Sequence, residues 1–292
     1  MERQFRIVVL AKQVPDTRQV GKDAMTAEGT VNRAALPAIF NPEDLHALEL
    51  ALDLKSRIAG AEVRVLTMGP QRAAEVIREA MYRGADGGYL LSGREFAGSD
   101  TLATSYALAC ALKKVGADLV VAGRQAIDGD TAQVGPQVAE KLGWPQVTYA
   151  ERVVAVEEDR LQIRRRLADG VEVVESPMPL VVTVNESAPV CRPRNAKRLM
   201  CYKSARTRSE LGEEQQPWVV QRVAAMPELQ LVELTAADID PDPAQLGLSG
   251  SPTKVKRIEN VVFQAKEAKR LTASDEELNA LIVELMAAHT IG

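Results

Sequence analysis

Histidine is nearly absent: His46 and His289 are the only two in 292 residues. Little is left for imidazole acid–base chemistry or a zinc centre. The three cysteines, Cys110, Cys191 and Cys201, make neither a paired framework nor a C-x-x-C string, which suits a reducing cytoplasm. Positive charge is not in excess. The formal net charge of -4 provides no basic field to draw in nucleic acid. No apolar run approaches the ~20 residues of a membrane helix. Met1-Glu-Arg-Gln-Phe-Arg6 leads straight into a strand without a signal-peptide pattern. Gly84, Gly87 and Gly88 do not make G-x-G-x-x-G, and no Walker A string occurs. What remains is ordinary globular composition, 46% hydrophobic and 26% charged. The length suits one large α/β domain with an appendage, or two small domains.

Apolar strands alternate with helical patterns in the first half. Strands are expected over Phe5–Ala11, Glu62–Thr67, Tyr89–Leu91 and Leu119–Ala122. Helices are expected after Asn41, over Gln71–Arg83, from Ser99 to about Val115, and over Thr131–Lys141. This order predicts a parallel sheet with right-handed crossovers. Asn41-Pro-Glu-Asp44 has the chemistry of a helix start: a capping side chain, proline at the first position, and carboxylates at the positive dipole end. Met25 to Arg33 reads as a surface hairpin. Beyond Trp144-Pro145 the pattern becomes strands with tight turns, over Val147–Val156, Arg160–Leu167, Val171–Glu175 and Leu180–Val184. Arg164-Arg-Arg166 reads as a solvated face rather than an anion patch. From Asn185 prolines and charges dominate, and the chain is expected to be an arm that gains order on another surface. Ser274-Asp-Glu-Glu277 is a capping box opening a last helix with Leu278, Leu281, Ile282 and Leu285 on one face.

The stretch Gly123-Arg-Gln-Ala-Ile-Asp-Gly-Asp-Thr-Ala-Gln-Val-Gly-Pro136 joins a strand to a helix. Ligands of open parallel sheets sit at such loops, and a helix start offers free N–H groups to a phosphate. Gly123 and Gly129 would let a ring or phosphate approach the backbone. From the pattern alone, a solvated loop whose aspartates cap a helix is the alternative.

As a string, this stretch closely resembles the nucleotide-binding loop of the electron transfer flavoprotein β subunit. Lys12-Gln-Val-Pro-Asp16, Asn41-Pro42, Asp169-Gly-Val-Glu172, Pro179-Leu-Val-Val-Thr183 and Leu246-Gly-Leu-Ser-Gly-Ser-Pro-Thr-Lys-Val255 resemble other strings of that family. The resemblance implies a Rossmann-like parallel sheet of the adenine nucleotide α-hydrolase kind, flanked by helices, with a β-hairpin region and an extended C-terminal arm. It implies a nucleotide-binding domain over 1–190 and a partner-facing arm over 191–292. It implies a heterodimer with an α subunit, FAD shared with that subunit, and AMP or a second FAD in the β site. The implied cofactor-binding residues are Leu10, Lys12, Asn41, Pro42, Glu43, Asp44 and Met68, and then the loop itself: Gly123, Arg124, Gln125, Ala126, Ile127, Asp128, Gly129, Asp130, Thr131, Ala132, Gln133 and Val134. Within the loop, Asp128 and Asp130 are assigned to ribose hydroxyls, backbone N–H groups or loop shaping, and the helix start to the phosphate. Leu199 and Met200 stand where the family meets its partner, an acyl-CoA dehydrogenase-type flavoenzyme, as in fatty acid oxidation. A quinone oxidoreductase is an implied acceptor.

No residue is implied as a nucleophile, a general base or a metal ligand. A carrier subunit holds and tunes its cofactor, and catalysis with NADH, by electron bifurcation, belongs only to members whose β site holds FAD. Conventional members tend to carry Asp where Gly129 stands, Asn at Ala132 and Thr at Val134, and a small aliphatic residue at Arg164. The glycine leaves room for an extended ligand. The Gly-Ser-Pro-Thr string resembles the bifurcating or Fix-type branch. Two other classes stand beside this reading: a universal-stress-type nucleotide-binding regulatory module without electron transfer, and a hydrolase using Asp128 and Asp130 with a metal.

Overall fold

A computed structural model describes residues 5–16, 37–253, 270–272 and 274–287. The expected hairpin at Met25 to Arg33 lies outside the described residues. The chain forms two compact units, Met1–Lys256 and Arg257–Gly292.

The first unit is built on β1 (Arg6–Leu10), the short antiparallel pair β2 (Gln13–Pro15) and β3 (Ala38–Phe40), α1 (Pro42–Arg57), β4 (Glu62–Met68), α2 (Ala74–Arg83), β5 (Gly87–Leu91), α3 (Thr101–Val115), β6 (Leu119–Gly123) and α4 (Val134–Leu142). Three antiparallel-linked strands follow, β7 (Gln146–Val156), β8 (Arg160–Leu167) and β9 (Gly170–Pro177), and then β10 (Leu180–Val184). Further on come α5 (Ala196–Tyr202), α6 (Arg208–Glu213), α7 (Pro217–Ala225), β11 (Val232–Leu234) and α8 (Ala236–Ile239). The main sheet runs β11-β5-β4-β1-β6-β10-β7-β8-β9. It is parallel from β11 to β7, as the strand–helix alternation predicts, and antiparallel beyond.

The central strands are buried on both faces, so their apolar residues run without polar alternation. In β1, Ile7 and Val9 face the layer of α1 and α2, while Val8 and Leu10 face that of α3. In β6, Leu119 and Val121 share the first layer, and Val120 and Ala122 the second. This period of two gives a three-layer body with a core on each side of the sheet. Strand order reverses at β1. The chain moves outward through β4 and β5, then crosses back to lay β6 on the other side of β1. The crevice above β1 and β6 is the topological switch point where such sheets bind ligands.

Residues 185–253 do not form a free arm. Buried Arg78 on α2 donates to the Ala205 carbonyl at 3.1 Å and pairs with Glu210. Arg198 on α5 reaches the Met81 carbonyl at 2.6 Å, at the end of α2. β11 adds to the sheet edge beside β5, and Ala205, Val219, Val223, Leu229 and Leu231 are buried. The surface this stretch lies on is its own α/β body, and Arg78 on the body and Arg198 in the stretch are anchors between them.

The Arg164-Arg-Arg166 run is likewise not simply solvated. Glu151, nearly buried, pairs with Arg166 at 2.7 Å and with Arg164 at 3.0 Å, and accepts from Ser187. The Ser187 hydrogen bond first, then the Arg166 and Arg164 guanidiniums, with desolvation opposing them, hold the Glu151 carboxyl below its ordinary range.

In the second unit, α9 (Asp275–Ala287) carries Leu278, Ile282, Val283 and Met286 exposed. Its expected capping box is half formed. Ser274 Oγ accepts from the Glu277 N–H at 3.4 Å, but the Glu277 carboxylate turns to Thr272. Among the described residues no helix is long and apolar enough to cross a membrane, and no group of three His, Cys, Asp or Glu gathers to hold a metal.

Candidate functional site

The C-terminal ends of β1, β4 and β6 open into a cleft of about 960 Å³. One wall is the Gly123–Gly135 loop. Its shape comes from α1, whose start is pulled against the sheet.

Asp44, in the first turn of α1, accepts the Lys12 N–H at 2.8 Å and the Gly123 N–H at 3.2 Å. One carboxyl therefore ties the exits of β1 and β6 together. Burial pushes its pKa up to about 7. The N–H groups of Lys12 and Gly123 and the Asn41 side chain oppose that rise, and the Glu43 charge adds to it.

Gly123 serves this clamp. A Cβ there would lie 2.5 Å from Asp44 Oδ1 and 2.7 Å from the Glu43 carbonyl carbon. The close approach predicted for Gly123 is thus made first by the protein's own helix. Gly123→Ala is expected to destabilise the fold by about 1–3 kcal/mol through overpacking against backbone, read as a lower urea midpoint at unchanged m-value.

Asn41 does not cap α1 with its side chain. Fully buried, it donates to the Gln125 carbonyl at 2.8 Å and accepts the Ile127 N–H at 3.2 Å. The carboxamide is spent on the loop because a loop N–H and C=O, buried against the helix, need partners. Pro42 occupies the first turn as expected. Glu43 grips Arg124 at 3.0 Å and the Gln125 N–H at 3.2 Å. Asp128 pairs with Lys12 at 2.7 Å, and Asp130 accepts from Gln125 at 2.9 Å. Both aspartates thus shape the loop.

Asp130 and Ala132 sit at φ 48° and 52°, in the left-handed region. A helix cannot run through Ala132, so α4 starts at Val134 rather than Thr131. Gln133 at its N-cap makes no side-chain cap bond, and its Oε1 instead accepts from Thr101 at 2.8 Å. Among the described residues, the first N–H groups of α4 have no side-chain cap where Val134 and Gly135 line the cleft. Gly129 has open space where a Cβ would stand.

Of the sequence-predicted residues, Leu10, Lys12, Asp44, Met68, Gly123–Ala126 and Gly129–Val134 line the cleft. Asn41, Pro42, Glu43, Ile127 and Asp128 do not. The hydrogen-bonding ones among them brace the loop from behind. Leu199 and Met200 lie on α5, apart from the cleft, with Met200 57% exposed. The opposite wall was missed. It comes from the exit of β5 and the start of α3, including Ser92, Arg94, Phe96, Asp100, Thr101 and Thr104. The available signal was topological: β5 is parallel to β1, so its exit must open on the same edge.

Arg94 differs from the other cations of the cleft. Lys12 and Arg124 are each paired with a carboxylate. The Arg94 guanidinium makes no ion pair or hydrogen bond among the described residues. The cleft thus offers one uncommitted cation, an uncapped helix start and an apolar floor of Leu10, Leu66 and Met68. That set suits a molecule with one flat apolar end and one anionic end.

Comparison with known proteins gives the family. A profile described as electron transfer flavoprotein domain matches residues 28–203. The electron transfer flavoprotein subunit beta of Clostridium acetobutylicum is 46% identical over 253 residues, 87% of each chain. The acryloyl-CoA reductase electron transfer subunit gamma of Anaerotignum propionicum is 39% identical over 292 residues, covering 98% of this chain and all of its own. Protein FixA of Bradyrhizobium diazoefficiens is 38% identical over 283 residues, 94% of this chain and 89% of its own.

Proposed function

This chain belongs to the electron transfer flavoprotein family as a β-subunit-type member with an electron-transfer role, and from that premise we propose that its cleft holds an adenine nucleotide, AMP or a second FAD. The matches support electron transfer and not the regulatory-module alternative. The observation that carries the nucleotide reading is the cleft at the switch point, walled by the Gly123–Gly135 loop. Its size, about 960 Å³, lies at the upper end of the roughly 300–1,000 Å³ typical of small-molecule sites, which favours a dinucleotide over a mononucleotide.

In this reading the adenine packs on Leu10, Leu66 and Met68. The phosphate meets the start of α4 and Arg94, and Gln125, Thr131 and Gln133 hydrogen-bond the sugar. A bound flavin supplies the redox chemistry, and the chain's residues bind it, orient it and exclude water. Residues 1–190 then carry the nucleotide, and residues 191–292 face an α subunit that shares the redox FAD. A quinone oxidoreductase fits as acceptor.

The test is the visible spectrum and nucleotide content of the chain co-purified with its α subunit, before and after acid release. Bound AMP or FAD beyond the α-subunit flavin is the expected result. A folded complex with no nucleotide beyond that flavin would reject the reading.

For the donor contact, an acyl-CoA dehydrogenase-type flavoenzyme would dock on α5. Leu199→Ala is expected to slow electron transfer from that donor several-fold, about the 1 kcal/mol or more of a docking anchor, with cofactor content unchanged. Stopped-flow flavin reduction reads the rate. Loss of cofactor instead would make Leu199 a structural residue.

A further inference from the structure

A loop on the rim of the cleft is held by residues from far along the chain. Ser251 is only 3% exposed. Its hydroxyl donates to the Gly247 carbonyl at 2.6 Å and accepts the Asp100 N–H at 2.9 Å. Asp100 caps α3, accepting the Ala103 N–H at 3.0 Å through one oxygen. Its other oxygen accepts the Thr253 N–H at 3.1 Å. The seat is close-fitting. Gly247, at φ 54°, has its bare α-carbon against the Glu95 carbonyl, and Gly250 has its own against Gln245.

Gly98, Ser99, Asp100 and Thr101 line the cleft as well. One short loop therefore touches the occupant's space and holds residues 247–253. A few residues beyond Thr253 the first unit ends, at Lys256.

We propose that Asp100 and Ser251 form a clasp that couples occupancy of the cleft to the anchoring of the chain where it leaves the first unit. The proposal rests on the reading of the cleft as a nucleotide site. A ligand shifts an equilibrium only if it interacts differently with the two states. The difference here is electrostatic. With the clasp closed, both Asp100 oxygens accept N–H donors. With Thr253 released, one oxygen is left without its donor on the cleft rim, facing an anionic occupant. An occupied cleft favours the closed clasp. By linkage, a closed clasp favours the occupant by the same factor. Asp100 and Ser251 are thus positioning residues, acting on the ligand through the rim.

The experiment uses the full chain, stripped of nucleotide and then saturated with AMP. Hydrogen exchange at the Thr253 amide and AMP affinity by equilibrium dialysis are measured for wild type, Ser251→Ala and Asp100→Asn. Asparagine keeps an acceptor for the α3 cap but turns an NH2 group toward the Thr253 N–H, so it opens the clasp without removing the cap. AMP is expected to slow Thr253 exchange about tenfold in wild type, a common size for such coupling. Both variants are expected to lose that slowing and to bind AMP more weakly by the same factor. AMP binding that leaves Thr253 exchange unchanged in wild type would overturn the clasp while the nucleotide reading stands. So would a variant with a lower melting temperature that keeps the full AMP-induced protection, the signature of a merely structural role. If wild type binds neither AMP nor FAD in dialysis, the nucleotide reading falls first and the clasp with it.

Discussion

Gly129→Asp is expected to lower the flavin content of the purified complex from about two per complex toward one, by rejecting the larger nucleotide from the cleft. Nothing stands within 4 Å of a Cβ at Gly129, and its backbone is not in the left-handed region. The aspartate therefore fits the fold, and stability should change by no more than about 0.5 kcal/mol. What changes is the cleft. A carboxylate on its lining takes up volume and repels the diphosphate of FAD, whereas glycine does neither, its own N–H being given to the Ala126 carbonyl at 3.2 Å. The contrast with Gly123→Ala is diagnostic. That glycine is required by the protein's own packing, while Gly129 is optional for the fold and decisive for the occupant. Flavin absorbance per mole of complex reads the result. Unaltered stoichiometry would move the discrimination to Ala132 or Val134.

The second large effect is a pH dependence of stability centred on Asp44. Its pKa rises from 3.8 to about 7 on folding, chiefly through burial. The folded protein therefore holds this proton more tightly than the unfolded chain. The stabilisation is fully present below pH 3.8 and lost as pH rises toward 7, with no further change from this group above that. The full span corresponds to about 4 kcal/mol as an upper bound, at roughly 1.4 kcal/mol per pH unit. Asp44→Asn removes the proton. It leaves a constant cost, because an amide cannot accept both the Lys12 and Gly123 N–H groups well. Urea denaturation at several pH values from 4 to 8 should show wild type losing stability relative to Asp44→Asn across that window. Parallel curves would mean that Asp44 is ionised throughout and held by its two N–H donors.

Much of this architecture is legible in the sequence, and the reasons are local. Continuous apolar runs mark β1, β6 and β10 because strands buried on both faces need no polar alternation. Strand ends at Val156, Leu167 and Val184 follow from turn residues. The loop's importance is also legible, but its internal economy is not. Asn41 reads as a cap and instead braces Gln125 and Ile127, across 84 and 86 residues of chain. The Gly123 contact with Asp44 spans 79 residues, and no local pattern encodes such a separation. Composition likewise makes 185–253 an arm. It cannot show that Arg78 on the body finds the Ala205 carbonyl and the Glu210 carboxylate in this stretch, or that Arg198 in the stretch finds the Met81 carbonyl on the body. The wall carried by Arg94 and Asp100 follows from β5 running parallel to β1 through β4, a matter of sheet topology that no local pattern around these residues marks.

The most direct test of the nucleotide site is photolabelling of the complex with 8-azido-AMP, followed by peptide mapping. The label should fall on peptides from the Gly123–Gly135 loop or from the facing wall around Met68 and Arg94, and excess AMP should abolish it. Labelling confined to α5 or to the β7–β9 strands and suppressed by the same competitor would place the nucleotide elsewhere and contradict the account.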